Sequence, residues 1–208
     1  FGLYAYSPFF ALLISPLTFL PYELVWVGDL LLHLAAYLLL YWRWFELARE
    51  YKLEHVAARL VRLFPLWLVF TGFLNEIIAQ NIYIFMALAA TLLLEAMLKE
   101  KLWASLLWLT VLLTIKPQWA FAATIPVLTR QWRFLSKVIL GGLAAYLVTV
   151  LITFAFAGPY ALEQYAAYVK FLQSIPATFF WNTLAMPGHI GYNNSLMQLV
   201  IFFSNQAA

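Results

Sequence analysis

Ten of the twelve Lys and Arg residues in this chain fall into three groups, separated by long apolar stretches. The first group is Arg43, Arg49, Lys52, Arg59 and Arg62; the second is Lys99 and Lys101; the third is Arg130, Arg133 and Lys137. The apolar stretches cover residues 8–20, 22–42, 63–74, 82–98, 102–115, 118–129, 138–157 and 196–203. Each has the length of a membrane span or of a broken, re-entrant helix. Cytoplasmic loops carry the excess of Lys and Arg, so all three groups are expected on the inner side. Every segment between two groups must then leave and return. Composition agrees: 65% of the 208 residues are hydrophobic and 10% are charged, against roughly 45–50% and 25% in soluble domains. The mean hydropathy is +0.86. These values exclude a soluble enzyme, a nucleic-acid-binding module and a disordered chain. The sequence pI of about 9.1 reflects basic loops, not a nucleic-acid surface. With no cysteine, disulfides, thiolate metal sites and cysteine nucleophiles are out. The expectation is an all-α, polytopic transmembrane bundle with short broken helices and an external loop.

The turns follow from the charges. Between Arg62 and Lys99 the chain turns at Asn75–Asn81, and between Lys101 and Arg130 it turns at Lys116-Pro117-Gln118. A single helix over 102–129 is the alternative. It would put basic flanks on opposite sides and a lysine at mid-membrane, at a cost of about 2.5–3.5 kcal/mol. A hairpin is therefore expected, its short arms leaving Lys116 in a cavity below the outer surface. Segment 22–42 runs inward to Arg43. Segment 138–157 runs outward and leaves 158–195 as an external loop. That loop is expected to be partly helical, since Tyr165, Tyr168 and Leu172 recur at helical spacing and read as a helix lying in the interface. Segment 8–20 holds Pro8 and Pro16, precedes Pro21 and reads as an external, half-inserted helix. The chain starts at Phe1 and stops within an apolar stretch. Residues 1–208 therefore read as one transmembrane domain, an internal fragment incomplete at both ends.

The unusual polar residues gather on the expected outer side. Lys116 offers a compact cation for a lipid phosphate; the alternative is a lysine snorkelling to the headgroups. Glu76 and Gln80 share a helix face. The Gln80 and Asn81 amides suit sugar hydroxyls, and Asn81 suits a helix cap equally well. Glu76 is the one acid in its turn, with a solvated interfacial carboxylate as the alternative. Asp29 and His33 stand four apart inside a span. They read either as a proton relay or, with more support, as a polar seam in which each satisfies the other, since no further acid–base pair continues a path. His189 lies in a turn made by Pro187, Gly188 and Gly191, followed by Tyr192, Asn193, Asn194 and Ser195. It is a candidate base, donor or phosphate ligand. No GxxxxGK[ST], HExxH or GxSxG sequence occurs.

Four features in order carry a resemblance: Tyr6-Ser7-Pro8-Phe9-Phe10 leading to Ser15-Pro16-Leu17, Gln80-Asn81, Lys116-Pro117, and Tyr192-Asn193-Asn194-Ser195-Leu196. Together they resemble the polyprenol-phosphate-mannose-dependent mannosyltransferases of glycosyltransferase family 87, in the C superfamily of integral-membrane glycosyltransferases. The family patterns lie near Y-x-Y-P-P, G-Q-x-N, K-P and N-Q-S-L. Here Ser7 stands for the first proline, Ala79 for the glycine and Asn194 for the glutamine. The resemblance implies an inverting transferase that moves a hexose, mannose, from a polyprenyl-phospho-sugar donor to a lipid or glycan acceptor on the outer face of a prokaryotic plasma membrane. It implies a general base on an external loop upstream of Phe1, so Glu76 is not that base. It places Lys116 on the donor phosphate, His189 near the donor as the catalytic group within this sequence, and Tyr6, Glu76, Gln80, Asn81, Tyr192, Asn193 and Asn194 around the substrate. No metal, cofactor or nucleic acid is implied; membrane lipids are the remaining partners. Two other classes stay open: a secondary transporter using Asp29 and His33, and a non-catalytic membrane subunit or flippase.

Overall fold

A computed structural model describes residues 6–178, and within them the chain is helical throughout, without a strand. Helix α1 (Pro8–Ile14) starts on Ser7, whose hydroxyl accepts from the Phe10 amide at 3.3 Å, with Pro8 at the first helical position. A 3₁₀ turn over Ser15–Phe19 leads to α2 (Tyr22–Glu50). Then come α3 (Glu54–Leu68), α4 (Thr71–Ala79), α5 (Tyr83–Leu98) and α6 (Leu102–Ile115). A 3₁₀ segment over Pro117–Thr124 runs into the short α7 (Ile125–Leu128), followed by α8 (Trp132–Ala157) and α9 (Tyr160–Thr178). Among the described residues, α2 and α8 are each long and apolar enough to cross a membrane. Helices α3 and α4 make a third span bent by 45°.

The polar punctuation becomes tight turns. After α2, α5 and α7 the chain passes through Lys52 (φ 57°), Glu100 (φ 50°) and Arg130 (φ 58°). In each case the next amide reaches back over the helix end: Leu53 to the Ala48 carbonyl at 2.7 Å, Lys101 to Ala96 at 2.8 Å, and Gln131 to Pro126 at 2.9 Å. This left-handed closure satisfies the last carbonyls of the helix and reverses the chain. The turns lie together, because Gln131 Nε2 donates to Glu100 Oε1 at 2.8 Å and Lys99 Nζ sits 2.7 Å from Glu50. The three basic groups therefore occupy one end of the bundle, as their spacing predicts. Arg43 binds both Glu46 and Glu95 there, and Lys99 meets Glu95 at 3.0 Å, which clamps α2 to α5. Hydrogen bonds to Glu50 and Glu95 hold the Lys99 ammonium above the ordinary lysine value.

Met86, Leu93 and Met97 of α5, Leu112 of α6 and Val138 of α8 are fully buried and form the main core. Helix α8 approaches α6 closely at Gly142, where a Cβ would stand 2.6 Å from Leu109 Cδ2. A second cluster covers the break between α3 and α4. Tyr37 stacks on Phe73 at 3.7 Å and on Trp67 at 4.8 Å, and its hydroxyl donates to the Trp67 carbonyl. The Trp67 carbonyl also accepts from the Phe70 amide at 3.3 Å, so the tyrosine adds a second donor at a helix break inside an apolar bundle. Tyr37→Phe keeps the stacking and removes the donor. It is expected to cost about 1 kcal/mol, read as a lower midpoint of unfolding in bicelles.

Three boundaries differ from expectation. Helix α2 continues past residue 42 to Glu50, and α8 starts at Trp132, because their basic ends are helical too. The apolar stretch 63–74 is the end of α3, a break and the start of α4, with Pro65 inside α3. The aromatic stripe of α9 packs on protein, with Tyr168 buried and Tyr165 lying 6.5 Å from the Phe154 ring of α8. The part of the expected loop after Thr178 lies outside the described residues.

Candidate active site

Helix α6 ends where proline forces it to. A residue before proline is driven out of the helical region, and Lys116 takes an extended conformation (φ −142°, ψ 96°) ahead of Pro117. The chain then turns into the Pro117–Thr124 segment, packs back along α6 and returns to Gln131 beside Glu100. The hairpin is formed, with Lys116 at its tip. Lys116 is 6% exposed. Its ammonium donates to Tyr83 Oη at 2.6 Å and lies 4.1 Å from the centre of the Tyr83 ring and 5.0 Å from that of Tyr6. Two ring faces attract the cation, yet no ion pair among the described residues involves it. The Glu76 carboxylate attracts it through space without touching it, and a buried cation with no carboxylate in direct contact is a poor arrangement in the empty protein and a good one for an anionic ligand.

The α4–α5 turn supplies the opposite wall. Gln80 takes the left-handed conformation (φ 46°), and the Asn81 amide reaches back to the Glu76 carbonyl at 3.0 Å. This is the same closure as at the basic end. The Glu76 carboxylate then caps α5 from the preceding helix, accepting from the Tyr83 amide at 3.1 Å and from Asn81 Nδ2 at 3.4 Å. A carboxylate at a helix N-terminus satisfies free amides and suits the helix dipole. Asn81 Oδ1 accepts from the Ile82 amide and from Tyr6 Oη, each at 3.0 Å. Ser7 fixes the third wall, as its amide donates to the Ile115 carbonyl at 3.2 Å and its hydroxyl donates to the Thr114 carbonyl. A proline at position 7 could make neither bond. That explains the serine where the resemblance expects proline.

Tyr6, Glu76, Asn81 and Lys116, separated in sequence, are thus brought together. Glu76 and Asn81 spend their polar atoms holding the turn, so Glu76 is a half-buried cap and not a freely solvated carboxylate. Gln80 shares the turn with its side chain exposed. Tyr83 completes the setting of Lys116. An aromatic residue at the head of an apolar helix gives no sequence signal that separates it from a membrane-interface tyrosine. Asp29 and His33 do meet, at 3.2 Å, and His33 also reaches the Asn81 carbonyl at 2.7 Å. His33 lies about 16 Å along α2 from Tyr22 at ~1.5 Å per residue, so the Asn81 turn sits well below the end of α2. His189, Tyr192, Asn193 and Asn194 lie outside the described residues. Among the described residues no group of three His, Asp or Glu side chains is placed to hold a metal ion.

Neither a search of curated proteins nor a search of solved structures found a match. A family model does match, and it covers residues 4–206, nearly the whole chain. With a recessed polar site among apolar membrane-type helices and a match over nearly the whole chain, the protein belongs to glycosyltransferase family 87.

Proposed function

We propose that this glycosyltransferase takes a hexose, mannose, from a polyprenyl-phosphate donor and passes it to a lipid or glycan acceptor at the outer face of the plasma membrane. The observation that carries the reading is Lys116: buried, walled by Tyr6 and Tyr83, and joined to no acid among the described residues. A phosphate placed there would bring the missing charge. In the reaction the acceptor oxygen bonds to the sugar C1 with inversion, and the bond from C1 to the phosphate oxygen breaks. A general base takes the acceptor proton, and polyprenyl phosphate leaves. Lys116 stabilises the charge that grows on the leaving oxygen, as a fixed cation does best in a site shielded from water. The basic clusters at the far end of the bundle support the outward orientation, because such clusters stay on the cytoplasmic side. His189, Tyr192, Asn193 and Asn194 belong to this proposal as further residues around the donor, and Gln80 as a group for sugar hydroxyls.

The test uses the full-length protein in nanodiscs with radiolabelled polyprenyl-phosphate-mannose and a membrane extract as acceptor source. Label moving from the donor to acceptor, with polyprenyl phosphate released, supports the reading. Transfer from a nucleotide sugar, with the lipid donor inert, overturns it.

A further inference from the structure

The pair Asp29–His33 has no part in the chemistry above, yet it is engaged on several sides inside the apolar bundle. His33 is 1% exposed. Its Nε2 lies 2.7 Å from the Asn81 carbonyl, within hydrogen-bond distance. On the other side Nδ1 lies 2.9 Å from the Asp29 carbonyl and 3.2 Å from its carboxylate. The Phe85 ring meets the imidazole edge-on at 4.6 Å and blocks its remaining freedom. Asp29 therefore orients the ring, and the ring holds one backbone carbonyl across the gap between α2 and the α4–α5 turn.

That carbonyl belongs to the residue on which the lysine's setting depends. Asn81 accepts from Tyr6 Oη through its side chain and binds Glu76, which in turn caps α5 at Tyr83. Tyr6 and Tyr83 are the two rings around Lys116, and Tyr83 is its hydrogen-bond acceptor. We infer that Asp29 and His33 are positioning residues: through Asn81 they hold Tyr6 and Tyr83 in register with Lys116, and so set the affinity of the phosphate site. This inference rests on the proposed lipid-phosphate reading of Lys116. It also gives the pair a function other than proton transport, because both ring nitrogens are occupied by oxygens of the protein itself.

The test uses full-length protein in nanodiscs, with polyprenyl phosphate as the binding probe and labelled polyprenyl-phosphate-mannose for turnover. His33→Ala is expected to weaken polyprenyl phosphate binding and raise the donor KM at least tenfold, with kcat per folded molecule within threefold of wild type. His33→Gln can place an amide N–H where Nε2 stands and is expected to recover most of the affinity. Asp29→Asn is expected to raise KM in the wild-type background and to have no effect in the His33→Gln background, where no imidazole needs orienting. A purely structural role predicts a lower folded fraction with KM unchanged, no preference for Gln over other polar residues, and an Asp29→Asn effect that persists beside His33→Gln. Any of these results overturns the inference. If His33→Ala does not fold, the Gln and Asn variants decide the matter alone. Wild-type protein that neither binds polyprenyl phosphate nor turns over the donor refutes the lipid-phosphate reading itself. Wild-type binding with unchanged affinity in the His33 and Asp29 variants refutes only the positioning role.

Discussion

Lys116→Met is expected to cut sugar transfer at least a hundredfold and to leave the protein more stable than wild type. The two effects have one cause. A buried ammonium whose hydrogen-bond partner is neutral Tyr83 Oη, with no acid paired to it among the described residues, costs desolvation that two aromatic rings only partly offset. Methionine fills a similar volume without that cost, so the apo protein is expected to gain about 1 kcal/mol, seen as a higher midpoint of thermal unfolding in detergent. On the proposed reading the same change removes the cation from the leaving phosphate. Loss of one well-placed electrostatic group costs about 10²–10³ in kcat, and the donor KM rises as well. Lys116→Arg retains the charge, but a planar fork does not fit a slot shaped for a point charge between two rings. A loss of at least tenfold in turnover is expected, with stability below wild type because the larger group overpacks the slot. A lysine that merely snorkels would show none of this, since its ammonium would be solvated and its removal neutral.

The second large effect lies at the other end of the bundle. Glu95 binds Arg43 and Lys99 together, and with Glu46 and Glu50 it closes the clamp between α2 and α5. Glu95→Ala leaves Arg43 with Glu46 alone, and the Arg43 Nε is already buried without a partner. A loss of about 2 kcal/mol is expected, below the 3–5 kcal/mol of a fully buried pair because Glu46 and Glu50 remain exposed to solvent. Pairing Glu95→Leu with Arg43→Met removes both charges and should cost less than Glu95→Ala alone, as a double-mutant cycle by thermal unfolding can show. Turnover per folded molecule should not change, because the clamp stands at the opposite end from Lys116.

These two sites differ in how far the sequence discloses them. The hairpin tip at Lys116 is legible because two physical rules agree on it. Basic flanks must share a side, and a residue before proline leaves the helix. The spacing of the Lys and Arg groups likewise fixes the end of α5, the start of α6 and the end of α7 to within a residue or two, while the expected arm 118–129 is a 3₁₀ segment before the short α7. Partners are another matter. Arg43 reads as one more inside-positive charge, and nothing local ties it to Glu95, fifty-two positions away. Glu76 reads as a lone acid in a polar turn; its work as the cap of α5 needs the closure at Gln80, where a non-glycine residue takes a left-handed conformation. The Asp29–His33 pair is visible from its spacing, and the structure does bring the two side chains together. Its second partner is a backbone carbonyl, which carries no side-chain signature to find. Tyr83 escapes for a similar reason, as aromatic residues at helix ends are common in membranes and only its contact with Lys116 gives it a role.

The central claim is that Lys116 is the seat of a lipid phosphate. The most direct measurement is the equilibrium affinity of full-length wild type and Lys116→Met for polyprenyl phosphate and for the uncharged polyprenol, in nanodiscs by intrinsic tryptophan fluorescence. Wild type should bind the phosphate at least a hundredfold more tightly than the alcohol, about 2.7 kcal/mol, and Lys116→Met should bind the two alike. Equal affinity for both lipids in wild type, or a phosphate preference that survives Lys116→Met, would contradict the account.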